Sequence, residues 1–465
     1  MSGGTLTLWF ESALLPGGWA RRVRITGRDG LISAVEVEVD AGEGEERHAV
    51  AIPGLPNLHS HAFQRAIAGL TERRGPAEDS FWTWRELMYR FVERMEPDQL
   101  EAVTALAFAQ MLEAGFTRVG EFHYLHQDKS GVPFADPGEL TGRIAAAAAE
   151  TGIALTLLPT FYAHSGFGGQ PPGERQRRFS TDLERFGRIV ESSRRAVGAL
   201  AAGNVGVAPH SLRAVTLEEL PAVVSLACGG PIHIHIAEQT REVEECIAWC
   251  GRRPIERLLE AAAVDERWCL VHATHAIPDE LERIAAAGAV VGLCPMTEAN
   301  LGDGVFPAVE FQGLSGRLGI GSDSNVLLDA AAELRLLEYS QRLTRRVRNA
   351  LAGEPGRSTG RSLFDAALAG GSQALAGAGA AAGAGRGAHG LAAKAPFDLV
   401  SLDAGHPALL GRREDEILDS WIFSGGRDVI DCVWRAGEKV VSAGRHRRRE
   451  AIVARYRRAM KALLA

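Results

Sequence analysis

The sequence predicts an α/β protein: a (β/α)8 (TIM) barrel with a small β-sandwich domain formed by the N- and C-terminal segments. Three observations carry this. From about residue 51 onward, short apolar runs alternate with long helical patterns, and eight such units can be counted. Before them, residues 1–50 alternate polar and apolar in short bursts broken by glycine turns. Strand-like runs of the same kind return near the C-terminus.

In chain order, "RRVRITG" and "LISAVEVEVD" read as a small antiparallel sheet, the first part of the β-sandwich domain, residues 1–52. The barrel is assigned to 53–385. Its strands are "AIPGLPNLHSH", "TRVGEFHYLH", "IALTLLPTFY", "VGVAPH", "PIHIHIAE", "WCLVHATH", "AVVGLCP" and "LGIGSDSN". A helix is expected over 97–114, with Asp98 near its start. After about 362 a helical stretch runs into "LAGAGAAAGAGRGAHG", whose low complexity predicts a flexible or loosely packed connector within 374–390. "FDLVSLD" and "DVIDCVWRAGEKVVSAG" then complete the small sheet over 386–445, and a helix rich in Arg and Ala closes the chain at 446–465. No internal repeat has a solenoid period.

Composition narrows the function classes. Hydrophobic residues at 46% and charged residues at 23% describe an ordinary folded protein. The net charge of −7, with no basic tract beyond "RHRRRE", which reads as a solvated face of the terminal helix, argues against nucleic acid as a partner. No window reaches the ~18 apolar residues needed to span a bilayer, and no leader pattern opens the chain. The six cysteines form no C-x-x-C pair and no dense framework, which suits reduced thiols and a cytoplasmic location. An anionic substrate therefore needs local arginines, because the overall field does not attract it.

Of the 14 histidines, ten fall between His59 and His275. Strand side chains two apart share a face, so His59 and His61 converge on one point. In the eight-strand reading His59, His61, His123, His210, His235, His272 and Asp323 all sit at or just after C-terminal strand ends, the face where such barrels build their sites. Three neutral imidazoles and a carboxylate suit zinc with an open position for water. In "HIHIAEQ", His235 is nearer the strand end and is expected to reach the metal, with His233 one layer lower in a buried role. Glu238 follows beyond the strand, where its carboxylate can hang over a zinc-bound water of pKa near ~7 and pass its proton to a leaving nitrogen. His272 can hydrogen-bond that water or polarise the substrate. Asp323 can instead cap the helix that follows. Only four lysines occur, none between 130 and 393, so a two-metal site bridged by a modified lysine from the middle strands is excluded.

The order H-x-H, H-x-x-E, His and a "SD" aspartate resembles the amidohydrolase superfamily, in its mononuclear deaminase branch, over roughly residues 50–330. More closely, "HAFQRAIAGL", "SFWTWRELMYR", "EFHYLHQD", "APHSLRAV", "HIHIAEQ", "LCPMTEANLGDGVFP" and "GSDSN" resemble the N-formimino-L-glutamate deiminases of bacterial histidine degradation. The resemblance implies hydrolysis of the formimino group to N-formyl-L-glutamate and ammonia. It implies one zinc per subunit on His59, His61, His235 and Asp323. It gives proton transfer to Glu238 and His272, with Asp323 also able to take a proton. Gln64, Arg85, Tyr124, His210 and Arg213 would hold the substrate, and the protein would be a homodimer. The chemistry agrees, since arginine forks bind carboxylates through paired hydrogen bonds and this substrate carries two. Arg85 lies in an aromatic stretch suited to a lid or pocket wall, in which Phe81, Trp82 and Trp84 read as packing residues. The rival readings are a deaminase of a purine or other aminated heterocycle, which would share the metal site, and a catalytically silent barrel scaffold.

Overall fold

The computed structural model describes residues 5–74, 80–383 and 390–465. Alternating burial at the N-terminus produces a meander in which Leu6–Leu15, Gly18–Arg28 and Leu31–Glu36 pair antiparallel in sequence order. Glu46–Pro53 then lies parallel to Leu6–Leu15, so this sheet is mixed, not purely antiparallel as its sequence suggests. The free edge of Glu46–Pro53 takes the returning strand Leu399–Leu402, and Ile430–Arg435, Glu438–Ser442 and Arg445–His446 follow antiparallel. The two ends of the chain therefore share one eight-stranded sheet. Phe10, Val23, Ile25, Phe397, Leu399 and Trp434 form its own apolar core.

The barrel strands are Leu55–Ser60, Phe116–His123, Ala154–Phe161, a fourth split into Asn204–Val205 and Ala208–Pro209, Ile232–Ile236, Trp268–His272, Val290–Leu293 and Arg317–Ile320. Neighbouring strands pair in parallel, as the intervening helices require. Single bridges close the ring, Val207 to Ile232 on one side and Ser60 to Asp323 on the other. Most strand residues are buried on both faces, which explains the near-continuous apolar runs. The fourth strand breaks at Gly206, where a Cβ would lie 2.2 Å from the Pro231 carbonyl oxygen. The helix over Pro97–Glu113 begins with proline at its first position and Asp98 in its first turn, both suited to a helix N-terminus.

Two expectations change. The connector expected over 374–390 is mostly helix: Thr359–Gly383 is continuous, and residues 384–389 lie outside the described residues. Alanine is the strongest helix former, and small side chains let this helix press its backbone against the floor of the barrel. There the Ala374 carbonyl accepts from His233 Nε2 at 2.8 Å, and Leu375 O accepts from Thr156 Oγ1 at 3.0 Å and Asn204 Nδ2 at 2.9 Å. His233 is thus a floor residue, one layer below the mouth. The "RHRRRE" tract is not wholly a solvated helix face. His446 ends a strand and is buried against Thr151 O at 2.9 Å, Arg449 pairs with Glu113, and the final helix runs Arg449–Leu464. Among the described residues no helix is long and apolar enough to cross a membrane.

The floor contact makes a signed test. A Cβ on Gly370 would meet the Leu318 carbonyl oxygen at 1.9 Å, whereas one on Gly142, in the helix Glu139–Thr151, meets nothing within 4 Å. Both alanine substitutions gain helix propensity of about 1 kcal/mol. Backbone overpacking at Gly370 costs about 1–3 kcal/mol or more. Thermal melts are expected to show Gly142→Ala more stable than wild type and Gly370→Ala less stable; a rise for both disproves the close approach.

Candidate metal centre and active site

Strand alternation brings the C-terminal ends of the first, fifth, sixth and eighth strands to one point. His59 Nε2 lies 3.1 Å from His235 Nε2 and 3.5 Å from Asp323 Oδ1, and His61 Nε2 lies 3.2 Å from the same oxygen. The strand ends are bent to achieve this. His272 and Asp323 adopt left-handed backbone, at φ of 68° and 42°, a conformation uncommon for residues with a Cβ and concentrated at functional sites. Asp323 is fixed from both sides. Its N–H donates to His59 O at 3.0 Å, and its carbonyl accepts from His61 N at 2.9 Å. Beneath it Asn57, Ser322 and Asn325 hydrogen-bond to one another at 2.6–3.0 Å. Asp323 does not cap the next helix; Asp329 does.

The hydrogen bonds decide which ring nitrogens carry protons. His61 Nδ1 faces Phe122 O at 2.8 Å and His235 Nδ1 faces His210 O at 3.1 Å, so each must be an N–H. In neutral rings the Nε2 atoms are then bare lone pairs. They meet the Nε2 of His59 and an oxygen of Asp323, and His59, His61 and His235 offer atoms all within 4.8 Å of one another. Burial lowers the affinity of all three for a proton, that of His59 to about 3, so protonation does not relieve the repulsion. Burial opposes charge on Asp323, but the facing imidazoles outweigh it and keep its carboxyl well below the usual range. A divalent cation is what this donor set fits.

Next to this cluster, His272 Nε2 lies 3.7 Å from Asp323 Oδ2 and 3.8 Å from Glu238 Oε1, with no hydrogen-bond partner of its own. Its Nδ1 contacts Glu298 Oε1 at 3.1 Å, and that oxygen also accepts from Cys294 N at 2.8 Å. Burial works against charge on His272, but Glu238, Glu298 and Asp323 outweigh it and hold the proton up to about 10. Burial pushes Glu238 up to about 7, against the pull of His272 and Arg213. A proton acceptor poised near neutrality therefore sits beside a charged donor.

Above lies a cavity walled by Gln64, Phe81, Trp84, Arg85, Met88, Tyr89, Tyr124, Tyr162, Phe179, His210, Arg213 and Leu301, with His61, His235, Glu238, His272 and Asp323 as its floor. Gln64 donates to Tyr124 Oη at 2.7 Å, leaving its own oxygen unpartnered. Among the described residues the buried Nε atoms of Arg85 and Arg213 also lack partners. The helix Phe81–Val92 carries Arg85 over the mouth, and the turn after the fourth strand carries His210 and Arg213.

All eleven residues singled out as ligands, proton carriers or substrate contacts border this one cavity, except His59, which lies at its base as a neighbour of His61 and His235. His123 does not join them. It ends the second strand as expected, but its ring packs on His126, and alternation gives the site to Phe122 and Tyr124. Phe81 and Trp84, read from the sequence as packing residues, also line the cavity. Glu298 and the Asn57–Ser322–Asn325 network were not singled out. Glu298 had one sequence signal, its place in the first turn of the helix that follows the seventh strand.

Residues 50–440 match the amidohydrolase family, and residues 8–49 match the N-terminal domain of formimidoylglutamate deiminase HutF. The chain is 50% identical over 443 residues to a formimidoylglutamate deiminase of Pseudomonas aeruginosa, covering 94% of this chain and 95% of that protein. An 8-oxoguanine deaminase of the same organism is 29% identical, over 64% of this chain and 65% of its own. Among solved structures, an amidohydrolase from Brucella melitensis superposes with a TM-score of 0.94 at 52% identity, covering 99% and 100% of the two chains. An adenosine deaminase from Xanthomonas campestris with bound zinc superposes at 0.80 with 22% identity, covering 99% and 98%.

Metal content tests whether these lone pairs meet a cation. Alanine at His59, His61, His235 or Asp323 is expected to reduce bound divalent metal by about tenfold or more at limiting metal, as loss of a ligand or its support does. His233→Ala is expected to keep the metal and lose stability. Elemental analysis of the purified variants, read beside their melting curves, separates the two outcomes.

Proposed function

The chain belongs to the amidohydrolase family, and on that premise we infer that it hydrolyses N-formimino-L-glutamate to N-formyl-L-glutamate and ammonia in histidine degradation. What supports this most directly is the mouth of the cavity, where two guanidiniums with unpartnered buried N–H groups stand above a hydrolytic floor. Such a mouth suits a small dicarboxylate better than a neutral flat heterocycle.

In this reading His59, His61, His235 and Asp323 hold one zinc per subunit, which when bound supplies a Lewis acid that brings water ionisation close to neutral pH. Arg85 and Arg213 take the two carboxylates. Gln64, Tyr124 and His210 contact the substrate between them and the floor. Glu238 accepts the proton that the attacking water loses and returns it to the nitrogen that departs as ammonia. His272, held by Glu298 through Nδ1, directs an N–H from Nε2 at the oxygen entering the amidine carbon. Asp323 can take a proton as well as bind. The reading extends to a barrel of 53–385 and a β domain that begins with residues 1–52 and resumes at 386, its last strand ending at His446 before the terminal helix Arg449–Leu464. It also includes a homodimer in the cytoplasm; six unbridged cysteines support the reducing setting.

Ammonia release is the direct test. Formiminoglutamate is expected to be turned over in preference to every member of a purine panel, and preference for a purine rejects the assignment. Because Glu238 keeps its proton below about 7 and must be a carboxylate to accept another, kcat/KM is expected to fall as pH drops through that value. Glu238→Gln is expected to lose about 10²–10⁴ in kcat. An unchanged rate would remove Glu238 from the proton path. At the mouth, Arg85→Lys keeps a charge but not a fork, and kcat/KM is expected to drop about tenfold or more; wild-type kinetics would show that Arg85 does not meet a carboxylate.

A further inference from the structure

We propose that Trp82 is a positioning residue: its indole holds the two substrate-facing guanidiniums, Arg85 and Arg213, in the spacing a dicarboxylate requires. This rests on the formiminoglutamate reading above. Trp82 lies on the helix Phe81–Val92, but the cavity wall there is made by its neighbours, so its role is through other side chains. Arg85 Cζ lies 4.5 Å from the indole centroid and Arg213 Cζ 5.8 Å. These arginines come from elements far apart in the chain, one before the second barrel strand and one after the fourth. A third guanidinium, the exposed Arg241, lies 4.3 Å from the same ring and is tied to Glu245 at 2.6 Å.

Two like charges side by side in a largely buried pocket repel each other and need compensation. Among the described residues no carboxylate lies within 4 Å of Arg85, and the one near Arg213 is Glu242, at 4.0 Å. A carboxylate partner would occupy the N–H fork and compete with the substrate. An aromatic face offers negative potential to the plane of a guanidinium and leaves its N–H edge free. That is the state of both arginines, whose Nε atoms are buried and unpartnered. Among the described residues Trp82 is the nearest ring to Arg85, with Tyr89 at 5.6 Å and Phe81 at 5.9 Å, and the one ring shared with Arg213. It therefore adds to the charge compensation from Glu242 and Glu238 without using the donors. Because both guanidiniums share one ring, it also fixes their separation.

The test uses the full-length, metal-replete protein and the variants Trp82→Leu and Trp82→Phe. Binding of N-formyl-L-glutamate and of N-formylglycine, which has one carboxylate, is measured by calorimetry beside the kinetics of formiminoglutamate. Trp82→Leu is expected to weaken N-formyl-L-glutamate and raise KM by about tenfold, with kcat within about twofold, from the loss of cation–π contacts in a desolvated pocket. Trp82→Phe is expected to recover most of this, and N-formylglycine to change less. Unchanged dicarboxylate binding in Trp82→Leu overturns the proposal. So does equal damage in the two variants, or a fall in kcat at constant KM. Should Trp82→Leu fail to fold, Trp82→Phe alone is expected to weaken dicarboxylate binding by about twofold to threefold, and wild-type affinity there overturns the proposal. A wild type that binds N-formyl-L-glutamate tightly but releases no ammonia from formiminoglutamate defeats the assigned reaction and leaves the role of Trp82 standing. Normal turnover with an unmoved KM in Trp82→Leu defeats the role alone.

Discussion

Closure of the barrel between its first and eighth strands is the constraint on which the site depends. His59 and His61 lie more than 260 residues from Asp323 in the chain, and the bridge from Ser60 to Asp323 is what sets them together. Short polar side chains secure that seam. Asn57 both donates to Ser322 Oγ and accepts from Ser322 N, while Asn325 donates to His61 O at 3.0 Å. Buried polar groups are costly when unpaired and rigid when paired, so this network fixes register where an apolar seam would permit slip. The left-handed turn at Asp323 persists because both flanking peptide groups are already committed to the first strand.

Above the seam, charge is sorted by depth. The deepest layer is neutral imidazole, because burial denies His59, His61 and His235 a second proton and leaves each with one bare ring nitrogen. The middle layer collects carboxylates: Glu238, Glu298 and Asp323 surround His272 and keep it cationic where burial alone would strip its proton. The outer layer is guanidinium and aromatic. Each layer sets the protonation of the one beside it. The same barrel mouth thus has bare ring nitrogens at its base, carboxylates around a cationic histidine at mid-height and guanidiniums at its rim.

Much of this was legible in the sequence because strand periodicity is strict. Once the strands are placed, His59 with His61 and His235 over His233 follow from alternation, and the structure puts His233 one layer down on the floor. The same rule, applied one residue further, separates His123 from Tyr124. His123 ends a strand like the others, but its face is the one that points away from the site. Glu298 was hidden for another reason. Its partner His272 comes from a different strand, and a glutamate in the first turn of the helix Pro295–Leu301 looks like an ordinary helix-start acid. The Gly/Ala-rich run reads as a linker by composition, yet glycine is what a helix needs when its backbone must lie against another backbone. Gly370 shows this directly at Leu318.

The layering also separates what is general in the site from what is particular. A floor of three imidazoles and a carboxylate, with a glutamate and a histidine beside it, can hydrolyse a C–N bond while contacting only the reacting carbon and its nitrogens. Nothing in that floor distinguishes an amidine on a chain from one in a ring. Discrimination must come from groups that meet the rest of the molecule, and in the proposed reading these are on the helix Phe81–Val92 and the turn after the fourth strand, both of which line the cavity. Buried cationic forks reject a neutral ligand strongly, because closing the pocket over it would strand their N–H groups without water or counter-charge. Under the proposed function, the donors of Arg85 and Arg213, unpartnered among the described residues, would select the substrate as much by what they refuse as by what they bind.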